Sequence, residues 1–387
     1  MLLVADPQLI DNHTYPTYNH FALKVSKFTV DNYIYKNYWE LVNHLKPDAI
    51  VFLGDLLDNG RESSDKYYEH EFDRFNKIFR PKETRERNID VIMNVPGNHD
   101  IGFGSSVISH SVDRFKDHFG QPNQIITKYN HDLISIDTIS LSDTKYETIA
   151  AESKVFLKTL QEPGELKRPR IIFDHVPFFR DTSKATCGPR RESPKPIPAV
   201  AGYQYQTMID PGISSVVLGM VRPSIIFSGD DHDYCEAVHE YSHDGKTKHA
   251  IEINVKSISM AMGIWKPAVE LLTLYDKPIE GKKVEVNGEV LEDIPATFEY
   301  KMCYLTPPYE DIIFYSIFAF FNFVYLCFFC LKTDKYYTGF AIDEVYKEPK
   351  VWDTLKSIST KLLVELVVVE SAIVWGVYYG LFSVSYY

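Results

Sequence analysis

Five short apolar runs in this chain each break off at a carboxylate, an amide or an imidazole, and no other feature restricts the fold as much. LLVA (2–5) leads into Asp6-Pro7-Gln8, and AIVFL (49–53) into Gly54-Asp55 and then Asp58. VIMNV (91–95) leads into Pro96-Gly97-Asn98-His99-Asp100, and RIIF (170–173) into Asp174-His175. PSIIF (223–227) leads into Ser228-Gly229-Asp230-Asp231-His232-Asp233. Apolar runs this short, bounded by polar punctuation, read as buried strands, and LISI (133–136) is a sixth. Segments of helical character lie between several of them, at 28–45 and 66–80, so an α/β domain is expected. Further strands at 251–258, 269–275 and 283–291 are expected to close a second sheet. In such folds sites assemble at the C-terminal strand edge. An apolar core has no use for that many oxygen and nitrogen donors unless they are paired or bind an ion. Five such strand ends predict a site.

The pattern stops near residue 300, where the solvent preference changes. Residues 312–331 (IIFYSIFAFFNFVYLCFFCL) carry no charge and are long enough to cross a bilayer core of about 30 Å. Residues 362–385 are of similar length but carry Glu365 and Glu370, which in a membrane need a partner. The segment between them holds six lysines (332, 335, 347, 350, 356 and 361), whereas 295–311 holds only Lys301. The excess of positive charge puts 332–361 in the cytoplasm and 1–300 on the lumenal side, with 301–311 as a juxtamembrane linker. Met1-Leu2-Leu3-Val4 runs straight into the first strand without the pattern of a signal peptide, so an anchor upstream of Met1 is expected.

Charge narrows the partners. With 41 Lys+Arg against 53 Asp+Glu the chain carries a net −12, and it has no basic run, which argues against nucleic acid. Five cysteines are too few for a disulfide scaffold. Cys187 and Cys235 are a possible pair in an oxidising compartment, although no spacing rule identifies partners. Cys327 and Cys330 lie inside the first apolar block and read as packing residues.

The series D-x-Q, G-D-x-x-D-x-G, G-N-H-D, a lone histidine and G-D-x-H, spanning residues 4 to about 235, resembles the calcineurin-like metallophosphoesterase superfamily. More narrowly, ADPQL (5–9), DNGR (58–61), GNHDIGFG (97–104) and SGDDHDYC (228–235), with terminal apolar spans, resemble the fungal branch of the secretory-pathway phosphodiesterases that remove ethanolamine phosphate from mannose of glycosylphosphatidylinositol (GPI) anchors. The resemblance implies a two-sheet sandwich flanked by helices, followed by transmembrane helices. It also implies two divalent metals bridged by Asp55. One metal would have Asp6, Asp55 and His232, with Gln8 in place of the usual histidine. The other would have Asp55, Asn98, His175 and Asp230, with Asp230 in place of the first histidine of G-H-x-H. His99 would serve the leaving-group oxygen, with Asp100 orienting its ring. A pair of metals clamps phosphoryl oxygens and activates water for in-line attack.

Oxygen in place of nitrogen at Gln8 and Asp230 favours harder ions, Mn²⁺ first, with Mg²⁺ and Zn²⁺ as alternatives. The three ligand carboxylates against two divalent cations leave the centre with a net positive charge, suited to an anionic diester.

Around this set, His13 lies close after Asp6 and is a candidate substrate contact; Asn12-His13-Thr14 is also a glycosylation sequon, although a glycan there would obstruct the site. Asn59 stands where phosphoprotein phosphatases carry a phosphate-clasping arginine, and Arg61 reaches either substrate or the loop backbone. The polar segment 181–198, with Arg180, Lys184, Arg190, Arg191 and Lys195 in or beside it, reads as a lid for glycan phosphates or as a solvated basic loop. Arg190 and Arg191 are its candidate contacts. Expected partners are a GPI lipid or GPI-anchored protein, membrane lipid and trafficking receptors, in the endoplasmic reticulum or early Golgi. The competing readings are a phosphatase for another lumenal phosphoester and a non-enzymatic adaptor on the same fold.

Overall fold

The apolar runs are strands whose two faces are both covered, which is why they show little alternation. β1 (Leu2–Val4), β2 (Ala49–Phe52) and β3 (Asp90–Ile92) run parallel, with Leu3 beside Val51 and Val51 beside Ile92. These three side chains face one way and join a single buried cluster with Leu133, Ile171, Phe173, Ile225, Phe227 and Ile251. The latter come from a second sheet. Ile50 and Phe52 face the other way, where the Phe52 ring lies 6.3 Å from Tyr38, 5.5 Å from Phe75 and 5.0 Å from Phe79. Those rings belong to the helices His20–Leu45 and Asp65–Phe79. The first is capped by Asn19, whose side chain accepts from the Ala22 amide, and ends at Lys46 in the left-handed conformation. Each large apolar side chain buried in these layers contributes about 1.5–3 kcal/mol.

The computed structural model describes residues 1–183, 186–337 and 360–383. The remaining strands are β4 (Gln124–Lys128), β5 (His131–Ser135), β6 (Arg170–Phe173), β7 (Ala201–Gly202), β8 (Tyr205–Gln206) and β9 (Ile225–Ser228). They continue with β10 (Cys235–His243), β11 (Lys246–Asn254), β12 (Ala268–Leu274), β13 (Val284–Val286), β14 (Glu289–Leu291) and β15 (Phe298–Tyr304). One sheet has the order β15-β12-β1-β2-β3, the other β10-β11-β9-β6-β5-β4. Strands β5, β6, β9 and β11 are parallel, so the ends of β1, β2, β6 and β9 deliver their polar residues to one edge of the sandwich.

Three expectations change. The strand expected at 269–275 is β12, which pairs with β1 and β15 in the first sheet instead of closing the second. Residues 283–291 do not close the second sheet: they form the hairpin β13–β14, turning at Asn287 (φ 51°) and Gly288 (φ 85°), a turn that an Asn-Gly pair favours. The strand expected at 251–258 instead begins at Lys246 and pairs with β10 through a turn at Asp244-Gly245. The polar half of that hairpin hid it.

The chain forms two units, Met1–Thr306 and Pro307–Tyr387. The second contains the helices Pro308–Tyr337 and Thr360–Ser383. Among the described residues one helical stretch, Pro308–Phe328, is long and apolar enough to cross a membrane. Asn322 of the first helix donates to Glu370 of the second at 2.5 Å, which gives that carboxylate a partner. Most of the 332–361 segment, and Lys184, lie outside the described residues.

Candidate metal centre

At the strand ends the backbone turns through conformations that side chains rarely adopt. Asp6 (φ 46°), Gln8 (φ 34°), Asp55 (φ 48°), Asp230 (φ 67°) and His232 (φ 66°) all have positive φ. Each such step costs a non-glycine residue on the order of 1–3 kcal/mol and persists where the surroundings over-determine it, commonly at functional sites. Five of the seven expected ligands carry it. The strain is spent on aiming donors inward.

The donors converge. His175 Nε2 is 3.4 Å from Asp55 Oδ1 and 3.6 Å from Asp230 Oδ1. Donor atoms of Asp6, Asp55 and His175, all buried, lie within 4.8 Å of one another. Backbone amides hold the carboxylates: Asp230 N donates to Asp6 Oδ1 at 3.0 Å and His99 N to Asp55 Oδ1 at 2.9 Å. The ring of His175 is oriented by Nδ1 donating to the Leu53 carbonyl at 2.8 Å, which leaves Nε2 as the free lone pair. Gly97 and Gly54 leave room for this approach. A Cβ on Gly97 would lie 2.0 Å from Asp55 Oδ1, and one on Gly54, at φ +86°, would lie 2.5 Å from His175 Nδ1.

Four atoms are left over. Asp6 Oδ2, Gln8 Oε1, Asn98 Oδ1 and His175 Nε2 are buried without any hydrogen-bond partner. Stranding one such group costs about 1–3 kcal/mol, and four on residues at the strand ends, two of them in the Asp6–Asp55–His175 cluster, fit a bound species. The amides are locked in the matching sense. Asn98 Nδ2 donates to the Gln204 carbonyl at 3.0 Å and Gln8 Nε2 to Asp58 Oδ1 at 2.9 Å, so in each the oxygen is the free end.

Electrostatics agree. Burial, joined by the neighbouring Asp55 and Asp230 carboxylates, pushes Asp6 well above the usual carboxylate range. Burial would lower His175, but Asp55, Asp230 and Asp6 outweigh it and hold the ring well above the ordinary histidine value. The cluster therefore demands positive charge at its centre. A divalent cation supplies it, and the all-oxygen-and-imidazole donor set fits one. Burial lowers His232, keeping its imidazole in the neutral, cation-binding form.

The residues around the centre divide. The His99 side chain remains 24% exposed, with Nδ1 2.5 Å from the Asp58 carbonyl, so it can meet both the site and solvent. Asp100 departs from the expected ring-orienting part. Its carboxylate accepts from the amides of Leu56 (3.1 Å), Leu57 (3.1 Å) and Gly97 (2.9 Å), tying the loop after β2 to the loop after β3. Burial and the nearby Asp55 push it up to about 7. Arg61 settles on the loop-backbone alternative: Nη1 donates to the Asn98 carbonyl at 3.0 Å.

The described part of the basic segment is tied to the protein at several points. Arg191 pairs with Asp231 and donates from Nε to the Lys195 carbonyl at 2.7 Å, and Arg190 donates to Tyr234 Oη at 3.0 Å. Asp233 accepts from the amides of Glu192 (2.9 Å) and Ser193 (2.8 Å). Cys187 and Cys235 form a disulfide beside it. These ties give both arginines partners within the protein. The His13 side chain is exposed, one residue before Thr14, whose hydroxyl donates to Asp58 Oδ2 at 2.6 Å. Thr14, the Gln204 carbonyl and the Leu53 carbonyl were not legible in sequence, because two act through backbone atoms and the third as a lone hydroxyl outside any motif.

A strained donor cluster at the edge of an α/β sandwich, with a histidine on its rim, defines a metal-dependent phosphoesterase. The calcineurin-like phosphoesterase family matches residues 2–234, and the chain belongs to that family. It is 42% identical over 313 residues to Cell division control protein 1 of Saccharomyces cerevisiae, covering 81% of this chain and 62% of that protein. It is 26% identical over 212 residues to Metallophosphoesterase 1 of Ailuropoda melanoleuca (50% and 52% covered). It is 23% identical over 262 residues to the Metallophosphoesterase 1 homolog of Caenorhabditis elegans (67% and 68% covered). The chain thus spans 62% and 52% of the length of the first two relatives.

Proposed function

We propose that this chain is a membrane-tethered phosphodiesterase, loaded with two divalent cations, Mn²⁺ foremost, that removes ethanolamine phosphate from a mannose of GPI-anchor glycans. The observation that carries the catalytic part is the set of four buried, partnerless donor atoms on Asp6, Gln8, Asn98 and His175. When bound, such cations supply charge for the phosphoryl oxygens and a nucleophilic water at neutral pH. The rest falls to the protein. Asp55, which accepts from the His99 amide and lies beside His175, would be shared by the two ions, one otherwise held by Asp6, Gln8 and His232 and the other by Asn98, His175 and Asp230. His99 donates from Nδ1 to the Asp58 carbonyl, which leaves Nε2 to pass a proton to the departing oxygen. Asp100 and Arg61 keep the loop that carries Asn98 and His99 in register.

The substrate reading rests on the short motifs ADPQL, DNGR, GNHDIGFG and SGDDHDYC and on the helix Pro308–Phe328, which suits a lipid-linked target. The Cys187–Cys235 bond accords with an oxidising lumenal compartment of the endoplasmic reticulum or early Golgi. Mn²⁺-dependent hydrolysis of an alkyl diester such as glycerophosphoethanolamine, whose alkoxide leaving group needs a proton, should fall by about 10²–10⁴-fold in His99→Ala. GPI glycans from cells without the protein should retain an extra ethanolamine phosphate. Unchanged glycans would refute the substrate, and undiminished hydrolysis in His99→Ala would refute the assigned chemistry.

A further inference from the structure

Gln8 stands where the superfamily pattern carries a metal-binding histidine, yet its carboxamide touches more than a metal site requires. One end, Oε1, is buried and has no hydrogen-bond partner. The other end, Nε2, donates to Asp58 Oδ1 at 2.9 Å and lies 3.1 Å from His99 Nε2 and 3.4 Å from His99 Nδ1. The amide cannot flip without setting Oε1 against the Asp58 carboxylate. The backbone is fixed as firmly: Gln8 N donates to the Asp55 carbonyl at 2.8 Å, and its φ of 34° is held against strain. Asp58 in turn is gripped from the far side by Thr14 Oγ1 at 2.6 Å, and its own carbonyl accepts from His99 Nδ1 at 2.5 Å. Gln8, Asp58 and His99 thus form one contact set, and the amide oxygen of Gln8 is left over from it, buried and without a partner.

We infer that Gln8 is a positioning residue that couples the metal centre to His99. It uses Oε1 toward the cation and donates from Nε2 to Asp58, whose carbonyl in turn holds His99 Nδ1–H, so that the ring is kept in the working arrangement with its Nε2 free for proton transfer. This rests on the phosphodiesterase reading for its kinetic consequence, not for its geometry. A histidine at this position would supply a metal donor, but a carboxamide supplies an acceptor and a donor at once from a single rigid plane. Displacing a reacting group by about 1 Å can cost on the order of 100-fold in rate, so holding the ring has kinetic weight.

Two variants separate the two ends. Gln8→Glu keeps an oxygen for the cation and replaces the N–H donor with a second oxygen facing Asp58 and the ring. Gln8→Leu removes both ends. Full-length protein in detergent would be titrated with Mn²⁺ by calorimetry. Its kcat on glycerophosphoethanolamine would be measured at saturating Mn²⁺, and the His99 ring followed by ¹³C-histidine NMR in the Mg²⁺-loaded form. Gln8→Glu should bind Mn²⁺ at least as tightly as wild type, shift the His99 ring signal and lose about 10- to 100-fold in kcat. Gln8→Leu should also bind one of its ions about 10- to 100-fold more weakly, and saturation should not restore its kcat. The inference is overturned if Gln8→Glu leaves the His99 signal and kcat at wild-type values, or if saturating Mn²⁺ fully restores Gln8→Leu. A wild-type protein that binds Mn²⁺ yet hydrolyses no diester would defeat the functional reading instead. The isotherms and the His99 signal would still decide the part played by Gln8.

Discussion

Asp100→Asn is the most informative single change, because it removes a charge without removing volume. The Asp100 carboxylate takes the Gly97 and Leu56 amides on one oxygen, at 2.9 and 3.1 Å, and the Leu57 amide on the other, at 3.1 Å. An asparagine can keep the first pair by placing its oxygen there, but its NH₂ then meets the Leu57 N–H, donor against donor. Losing one charge-assisted bond costs about 1.5–3 kcal/mol, and leaving a buried N–H unpaired costs a further 1–3 kcal/mol. Part of this is returned. Burial and Asp55 already push the Asp100 carboxyl up to about 7, so the neutral amide escapes a desolvation penalty that the native group bears. A net loss of about 2 kcal/mol is expected, read as a lower urea midpoint with an unchanged slope.

The kinetic effect should be larger than the stability effect implies. The three amides belong to the loops that carry Asp55 and Asn98, so loosening them misplaces donors on both sides of the centre. A kcat reduction of about 10- to 100-fold on bis-p-nitrophenyl phosphate at saturating Mn²⁺ is expected. An Asp100→Asn protein with both midpoint and kcat at wild-type values would refute this reasoning.

Two further outcomes follow from features away from the reacting atoms. Gly97→Ala sets a Cβ 2.0 Å from Asp55 Oδ1 and 2.2 Å from the Asp55 amide, so Mn²⁺ affinity by calorimetry should be lost while circular dichroism still reports a folded protein; retained affinity would contradict the packing described. Glu270 on β12 is fully buried with both oxygens unpartnered, and burial, aided by Glu236 and opposed by Arg190, pushes it up to about 8. Because the folded protein holds this proton more tightly than the unfolded chain, its contribution to stability is complete below about 4.5 and is lost as pH rises through about 8. Glu270→Gln should flatten the fall in thermal midpoint between about pH 5 and 9, and an unchanged profile would rule Glu270 out as its source.

What was legible in the sequence is what side-chain chemistry repeats. Strand ends at Asp6, Asp55, Asn98, His175 and Asp230 announced themselves because each breaks an apolar run, and the fold brings these ends to one edge. The hairpin β10–β11 was missed because its outer half alternates polar residues. The 283–291 hairpin was misplaced because its Asn-Gly turn was read through as a single strand. Around the site, motif spacing identified Asp100 and Arg61 as important but not what they hold, since their partners are backbone amides and a carbonyl that no spacing rule reveals. The ties of Arg190 and Arg191 to Tyr234 and Asp231 were hidden for a similar reason. They depend on where a 40-residue return of the chain brings the basic segment.

The central claim, that the strand-end donors hold two divalent cations, is tested most directly by counting the ions. Wild-type protein stripped of metal and titrated calorimetrically with Mn²⁺ should take up two ions per chain, and Asp55→Asn, lacking the shared carboxylate, should take up no more than one. A wild-type protein that binds fewer than two, or an Asp55→Asn protein that still binds two, would contradict the account.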